Sequence, residues 1–422
     1  MKTSPGFEAP WRRSPVRKLA LIVALAALFR FGSATSAEAP DGRGSARPAA
    51  ERFHEVGAAA RWAEIDDRVE QSNAPPLVGP ARWQAMSQTR THDIEACVTH
   101  HDFARTVNDL FADTGVSHFH YYTERDWSYW HLLSVFFSDE PGVQVEHIGI
   151  VPERIAGRWF VGGILEGSPA ESTRLRVGDE LLSVDGEPYR PIASFRGRAG
   201  QQIHLTVRRR PRLSLEVAIV PVKESLHVAV QRAVRRSLRV IEHGRWKLAY
   251  LHGWTLLGAG EEYERLTAMQ DQVDGLLLDY RDGFGGRWDM ATRFLLGTDD
   301  DGDGQHRDPQ WRKPVVVLIG DGTRSAKEIV VSAAQASGRA LLVGEPSPGD
   351  VTSVGAVLRV GGDGLLMLPG HRFELEDHPT QPDVAVSRDL RYCAGADPQL
   401  KRALEVLVEG IVRKPQRVGG SN

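Results

Sequence analysis

Residues 275–286 read Gly-Leu-Leu-Leu-Asp-Tyr-Arg-Asp-Gly-Phe-Gly-Gly, and residues 315–329 read Val-Val-Val-Leu-Ile-Gly-Asp-Gly-Thr-Arg-Ser-Ala-Lys-Glu-Ile. Each begins with a short continuous apolar run, which is typical of a strand buried on both faces of a parallel sheet. A glycine-containing turn follows each run, and the second turn leads into a helix that Gly338 is positioned to end. Further strand patterns at 247–251 and 340–343 continue this alternation, which predicts an α/β core.

These two segments resemble the carboxyl-terminal processing, or tail-specific, serine peptidases and their relative, the tricorn protease core. Residues 338–346, Gly-Arg-Ala-Leu-Leu-Val-Gly-Glu-Pro, and the Pro-Asp pair at 382–383 match further parts of the same module. The resemblance implies an α/β core of the crotonase-like ββα spiral type, here over residues 223–410. It also implies a serine-type peptidase, a hydrolase that cuts peptide bonds in protein or peptide substrates.

Ser325 stands at the nucleophile position of this family. A serine that follows a buried strand and a tight turn, at the start of a helix, has an exposed hydroxyl beside the positive end of the helix dipole. The backbone N–H of Ala326 would stabilise a developing oxyanion, and Gly285 or Gly286 could bring a second N–H close. The alternative needs no catalysis, since residues 325–328, Ser-Ala-Lys-Glu, form a complete capping box. The three matched segments together favour the nucleophile.

The sequence departs from the tail-specific pattern at the general base. The resemblance implies a lysine about 25 residues after the serine, but Asp350 stands there. A carboxylate cannot replace a deprotonated amine beside the serine. Lys327 is a poor substitute, because a residue two positions along a helix points about 200° away from Ser325. The sequence therefore predicts that the serine–lysine dyad is absent.

The tricorn-like branch implies a different base, a histidine that follows a serine ahead of the PDZ domain, together with a glutamate near the end of the core. Ser117 and His118 match the pair, and Glu376 matches the glutamate. We predict that Ser325 is the nucleophile and His118 the general base, with Ser117 and Glu376 orienting or polarising the histidine. Two other histidines compete for the role of base, namely His120 and His252.

Residues 141–222 change to short β runs with glycine turns and resemble a PDZ domain of the bacterial, circularly permuted kind. The landmarks are Gly-Ser-Pro-Ala-Glu at 167–171, where Ser168 would cap a helix, and Val-Asp-Gly at 184–186, a hairpin turn signal. The resemblance implies a peptide-binding site at Ile148, Gly149 and Ile150, where the glycine lets N–H groups approach a peptide carboxylate and the peptide adds as a strand. A simple strand with a bulge is the alternative.

The two ends of the chain are predicted to lie outside these domains. Residues 1–37 have a basic start, a short apolar core and small residues at the end, which predicts a secretory signal peptide. Arg30 cuts the apolar run short, so cleavage is favoured over a single-span membrane anchor. A linker follows at 38–52, then a helical region at 53–140, with a tail at 411–422. We therefore expect a secreted or periplasmic protein, in which a disulfide between Cys97 and Cys393 is permitted.

Composition removes several other classes of function. The 422 residues carry a net charge of −3, which gives no reason to expect nucleic acid as a partner. No apolar run reaches the roughly 18 residues that span a bilayer, which excludes a polytopic membrane protein. Residues 299–304 resemble the start of a calcium loop, but its twelfth position is Gln310, so we expect no metal and no cofactor. The sequence leaves open the oligomeric state and whether substrates are recognised by their free C-termini.

A second class of function competes with the peptidase. Because Asp350 replaces the lysine of the tail-specific enzymes, the chain could be a non-catalytic peptide-binding protein on a degenerate peptidase scaffold. The coincidence of Ser117 and His118 with Glu376 opposes this alternative.

Overall fold

The computed structural model describes residues 57–140, 143–297, 308–349, 351–373 and 379–413. The predicted signal peptide and linker, the acidic loop at 299–304, Asp350 and Glu376 lie outside the described residues. Within the described ranges, no helix is both long enough and apolar enough to cross a membrane.

The helical pattern of residues 53–116 is present as four helices, followed by a strand and a fifth helix. Thr99 caps the fourth helix, because its hydroxyl accepts a hydrogen bond from the Asp102 N–H. Phe111 from this helix stacks on Phe119 with ring centroids 3.7 Å apart, beside the buried Trp83. The elements are α1 (Ala58–Glu70), α2 (Ala74–Val78), α3 (Pro80–Glu95), α4 (His100–Asp113), β1 (His120–Thr123) and α5 (Trp127–Phe136).

The middle of the chain is a separate β unit, in which β3-β4-β5-β7-β8 is the strand order and β6 pairs with β5. Asp185 and Gly186 both have positive φ, 49° and 85°, and form the predicted turn between β5 and β6. The predicted helix cap at Ser168 is wrong, since only one 3₁₀ turn follows it, at Ala170–Ser172, and no side chain caps that turn. The strands are β2 (Val145–His147), β3 (Ile150–Ile155), β4 (Arg158–Ile164), β5 (Glu180–Val184), β6 (Glu187–Pro188), β7 (Ile203–Arg210), β8 (Leu213–Ile219) and β9 (Val222–Glu224).

The core is a six-stranded sheet of order β10-β11-β12-β13-β14-β17, parallel except for the antiparallel pair β10–β11. This confirms the predicted mixed α/β class. Both matched apolar runs are strands, and every residue of β12 and β13 is buried. The elements are α6 (Leu226–Ser237), β10 (Arg239–His243), β11 (Trp246–His252), α7 (Gly260–Met269), β12 (Gly275–Asp279), α8 (Asp289–Leu296), β13 (Val315–Ile319), α9 (Ala326–Ala336), β14 (Leu341–Gly344), β17 (Val384–Ala385) and α10 (Pro398–Arg413).

Alternate side chains along β12 and β13 enter two different apolar layers, as the period of a strand requires. Leu276, Leu278, Val315 and Val317 face the layer that contains α6 to α9. Their neighbours Leu277 and Val316 face α10 on the other side of the sheet. The core sheet is therefore covered on both faces, which explains why its strands are continuously apolar.

A third sheet, absent from the sequence prediction, connects the helical region to the core. It has the order β1-β16-β15, where β15 is Thr352–Val360 and β16 is Gly364–Arg372. His120 of β1 lies opposite Met367 of β16, more than 240 positions away in sequence. The chain thus returns to its N-terminal part after the α/β alternation.

Arg61 of α1 fixes the helical region to the turn between β15 and β16. The guanidinium is fully buried and donates to the equally buried Asp363 carboxylate and to the Tyr121 hydroxyl at 2.9 Å. The opposite charge and the paired polar atoms offset the cost of taking both ions out of water.

Cys97 and Cys393 are both free thiols, so the permitted disulfide is not formed. The Cys97 thiol contacts the Asp93 carbonyl on the helix that precedes it, at 3.3 Å. The Cys393 thiol contacts the Val177 carbonyl in the β unit, at 3.2 Å. Each thiol therefore has its own local polar contact.

Replacing Arg61 with methionine should destabilise the protein strongly, because the Asp363 carboxylate would remain buried without its cation. We expect a loss of about 3–5 kcal/mol in the free energy of unfolding, measured by urea denaturation. Arg68→Met on the exposed side of the same helix is the matched control, and it should change stability by less than about 0.5 kcal/mol. Equal effects of the two substitutions would contradict the importance of this ion pair.

Candidate active site

Ser325 lies at the carboxyl edge of the parallel sheet, in the turn between β13 and α9. Its backbone has φ 58° and ψ −128°, a conformation that non-glycine residues avoid because of steric clashes. The turn before it is held by Thr323, whose buried hydroxyl donates to the Tyr280 carbonyl at 3.1 Å. Such strain persists only where the surroundings enforce it, and it concentrates at functional sites.

The complete capping box predicted as the alternative for residues 325–328 is wrong. The Ser325 hydroxyl makes no capping hydrogen bond to the helix, although the Ser325 carbonyl accepts bonds from the Glu328 N–H at 2.9 Å and from the Ile329 N–H at 3.4 Å. The Ser325 N–H lies near the Glu328 carboxylate and acts to lower its pKa. The hydroxyl is therefore not used to begin the helix.

Of the two glycines predicted to supply an oxyanion donor, Gly285 is the one beside Ser325. A Cβ at Gly285 would lie 2.8 Å from the Ser325 Cβ and 3.2 Å from the Ala326 nitrogen. Only glycine therefore fits between this loop and the first turn of α9. A Cβ at Gly286 would instead meet the backbone of Leu257, at 2.5 Å. The N–H of Ala326 begins the helix and has no acceptor within it.

An aromatic stack that the sequence did not reveal holds the loop at residues 282–286. The Phe284 ring lies parallel to that of His131, with centroids 3.6 Å apart, and to that of Trp127 at 5.3 Å. Both partners come from α5, so the helical region packs directly against this loop. Burial lowers the pKa of His131 to about 3, so this histidine is a neutral packing ring at physiological pH.

The predicted pair Ser117 and His118 lies immediately before β1 and is half-buried. The Ser117 hydroxyl is 3.2 Å from His118 Nδ1. Thr352, the first residue of β15, completes a triangle, with its hydroxyl 3.2 Å from the same Nδ1 and 2.8 Å from the Ser117 hydroxyl. Sequence reasoning missed Thr352, because only the pairing of β1 with the β15–β16 hairpin places it there.

Hydrogen bonds connect the first turn of α9 to the segment that precedes β15. The buried Glu328 carboxylate accepts hydrogen bonds from the Ser347 hydroxyl at 2.7 Å and from the Gly349 N–H at 2.9 Å. Three residues span at most about 11 Å of chain, so Thr352 lies within that reach of Gly349. Burial raises the pKa of Glu328, whereas these bonds act in the opposite direction.

Two competing histidines occupy other surroundings. Burial, together with the nearby charge of Arg324, lowers the pKa of His120 to about 4. His252 is buried at the end of β11, stacked on Trp254 at 3.9 Å, with its Nδ1 3.4 Å from a Glu166 carboxylate oxygen. The Arg324 effect also indicates that β1 lies close to the turn that carries Ser325.

Lys327 does not point to solvent. Its side chain is fully buried, and its ammonium donates to the backbone carbonyl of Asp282 and lies 5.9 Å from the Tyr280 ring. Burial lowers the pKa of Lys327 to about 7, although the carboxylates of Asp282 and Asp279 favour the charged form. No local sequence signal indicates this environment, because the helix pattern alone does not say what covers the first turn of α9.

The predicted peptide-binding residues lie at the start of β3. Ile148 and Ile150 are buried, and a Cβ at Gly149 would lie 2.1 Å from the Ser168 Cβ. The glycine is therefore required by packing and by its positive φ of 81°. Among the described strands, β3 ends the sheet, and it contains Pro152, a residue that edge strands tolerate. Over the same described residues, no three histidine, cysteine or acidic side chains are grouped to hold a metal.

Comparison with known proteins supports the core assignment. Residues 247–389 match the model of peptidase family S41, a range that begins in β11, contains Ser325 and ends after β17. The carboxy-terminal processing protease CtpA of Bacillus subtilis is 23% identical over 237 residues, which is 51% of this chain and 49% of the relative. The carboxyl-terminal-processing protease of a Picosynechococcus species is 29% identical over 208 residues, which is 44% of this chain and 49% of the relative.

The chain spans about half the length of these curated relatives. Among solved structures, the photosystem II D1 C-terminal processing protease has a TM-score of 0.47 and 17% identity over 78% of this chain and 93% of that chain. The tricorn protease has a TM-score of 0.44 and 15% identity over 78% of this chain and 34% of that chain. The predicted resemblance to carboxyl-terminal processing serine peptidases is confirmed by the family match and the relatives. Ser117 and His118 lie outside the matched range.

The strain at Ser325 can be measured directly. Replacing Ser325 with glycine should give a more stable protein than replacing it with alanine, because glycine adopts this backbone conformation without a clash. We expect a difference of roughly 1–3 kcal/mol in the free energy of unfolding, measured by urea denaturation. Ser337, the last-turn serine of the same helix with φ −81°, is the control. There, glycine should be no better than alanine, and the same order at both positions would contradict the strained geometry.

Proposed function

We propose that this chain is a serine endopeptidase that cleaves peptide bonds through an acyl-enzyme on Ser325, with His118 as the general base. The observation that carries the proposal is the backbone of Ser325, held in a strained conformation with a hydroxyl that caps nothing. Gly285 and the first N–H of α9 lie beside it. The family match over residues 247–389 supports the same assignment.

The proposed reaction is an acyl transfer that begins at Ser325. The Ser325 hydroxyl attacks the peptide carbonyl, and its proton passes to His118. Because Nδ1 of His118 contacts two hydroxyls, from Ser117 and Thr352, Nε2 is the nitrogen that accepts the proton. The N–H groups of Ala326 and Gly285 stabilise the oxyanion. The imidazolium then protonates the leaving amine, and a water activated by the same base hydrolyses the ester.

The hydroxyls of Ser117 and Thr352 would keep the ring in one orientation and one tautomer. When the N–H at His118 Nδ1 donates a hydrogen bond to either hydroxyl oxygen, Nε2 carries no proton and is therefore basic. In this proposal, Glu376 adds a negative charge near the imidazolium, as the tricorn-like branch implies. The wider architecture is proposed to be a crotonase-like spiral core with an inserted PDZ domain, in a secreted or periplasmic protein.

The substrates are proposed to be proteins or peptides, bound in part through their C-termini. The outer edge of β3 is the place where an extended peptide would add as a strand. Pro152 removes one N–H donor from β3, so a bound peptide would depend on the backbone near Gly149 at its C-terminal end.

An active-site-directed fluorophosphonate tests the proposal. Wild-type protein should be labelled covalently, detected by intact mass, and Ser325→Ala should not be labelled, because the attacking oxygen is gone. Ser337→Ala on the same helix is the matched control and should label like the wild type. A folded wild-type protein that takes no label would favour the alternative, a peptide-binding protein on a degenerate scaffold.

The same labelling reaction identifies the base through its pH dependence. The imidazole must be neutral to accept a proton, so the rate should rise with pH through an ionisation near the ordinary histidine pKa of about 6.5 and then level off. His118→Ala should lower the plateau by about 100-fold or more and remove this rise. His120→Ala should keep both the plateau and the rise, because a base with a pKa of about 4 is already neutral in this pH range. His252→Ala should also keep both. Near-normal labelling of His118→Ala would refute the histidine assignment.

Recognition of a C-terminus can be separated from catalysis in the Ser325→Ala protein. A fluorescent peptide with a free carboxylate should bind about tenfold more tightly than its amidated form, since a charged hydrogen bond contributes about 1.5–3 kcal/mol. Fluorescence anisotropy measures both affinities. Equal affinities would reduce the β unit to a structural role.

A further inference from the structure

Lys327 is a buried cation that the proposed reaction does not use. It is the second residue of α9, its side chain has no exposed surface, and its ammonium donates to the backbone carbonyl of Asp282. Lysine is almost never fully buried unless its charge is compensated. A methionine would fill the same space without the cost of burying a charge. The hydrogen bond to the Asp282 carbonyl is therefore the feature that requires a lysine.

The accepting carbonyl begins the loop that contains Gly285. The Asp282 carboxylate is held separately by Arg388, at 3.3 Å from one guanidinium nitrogen. Two residues further on, Phe284 is fixed by its stack on His131. The backbone of the loop is also held, since the Phe284 N–H donates to the Trp254 carbonyl at 2.6 Å and the Gly285 carbonyl accepts from the Leu256 N–H at 2.8 Å. The Lys327 bond is the contact that connects the loop to α9.

The next residue of α9, Glu328, holds a second loop on the other side of the turn. Glu328 is buried and accepts hydrogen bonds from Ser347 and Gly349, in the segment that follows β14. Two consecutive ionisable side chains in the first turn of α9 thus bind two different loops, the loop at 282–286 and the segment at 347–349. Ser325 lies immediately before this turn.

We propose that Lys327 is a positioning residue for the oxyanion hole, which holds the Asp282 carbonyl against α9 and so fixes the Gly285 N–H relative to the Ala326 N–H. This inference rests on the proposed peptidase function. An oxyanion hole stabilises the transition state only when both donors are already placed where the charge develops. Lys327 touches neither substrate nor nucleophile in this role, so it acts on kcat and not on the binding of the substrate in the ground state.

The test is Lys327→Met, which keeps the length of the side chain and removes the donor. The matched control is Lys313→Met, because the Lys313 ammonium also donates to a backbone carbonyl in the core, that of Val273. We expect Lys327→Met to lower kcat for a peptide substrate by about tenfold or more with KM changed less than twofold, as for a displaced oxyanion donor. Lys313→Met should leave both constants unchanged. A folded Lys327→Met protein with kcat within twofold of the wild type overturns the inference.

Hydrogen exchange followed by mass spectrometry measures the same effect without activity. Amides of residues 282–286 should exchange at least several-fold faster in Lys327→Met and at the wild-type rate in Lys313→Met. If Lys327→Met does not fold, Lys327→Leu takes its place as the variant without a donor, and Lys327→Gln, which keeps an N–H donor, should exchange at a rate nearer the wild type. If hydrogen exchange at residues 282–286 is unchanged in a variant without the donor, Lys327 does not hold this loop and the inference is overturned. That conclusion does not depend on whether the wild-type protein is active. An inactive wild type with faster exchange in the variant would instead refute the peptidase and retain the anchor.

Discussion

Two hydrogen bonds made by the backbone of Tyr280, the residue after β12, position the two loops around Ser325. The Tyr280 N–H donates to the Leu318 carbonyl at 3.0 Å, and the Tyr280 carbonyl accepts from the Thr323 hydroxyl at 3.1 Å. The first extends the register of the parallel pair by one residue, and the second ties the following turn to the same place. The loop at 282–286 and the turn at 320–325 therefore leave the sheet side by side. A change of register by one residue would reverse the direction of every side chain in β13 and separate the two loops.

Charged groups are buried around this edge of the sheet, and each has hydrogen-bond partners. Burial alone would raise the pKa of Asp279, but the charge of Arg281 outweighs it and keeps this carboxylate ionised. Arg281 also donates to Asp397, just before α10, at 2.8 and 2.9 Å. Lys327 and Glu328 belong to the same edge. Paired buried charges add little to stability compared with apolar packing, but they fix geometry, and geometry is what a preorganised site requires.

The sequence predicted what depends on local pattern. The apolar runs at 275–279 and 315–319, the turn at Asp185 and Gly186, and the helix after Ser325 all follow from periodicity and turn residues. It did not predict the β15–β16 hairpin or Thr352, because their role depends on pairing with β1, far away in the chain. The capping box at Ser325 misled for a related reason. Four residues can suit a cap perfectly, and only the surrounding packing decides that the backbone is strained and the hydroxyl turned away.

The order of the parts along the chain has a consequence for biosynthesis. His118 is made early, the β unit next, and Ser325 only after four strands of the core. Thr352, whose hydroxyl contacts the His118 ring, and β16, which pairs with β1, come later still. A growing chain therefore has a serine and a histidine that nothing yet holds together. We expect this order to keep the proposed hydrolase silent until the β15–β16 hairpin has been made.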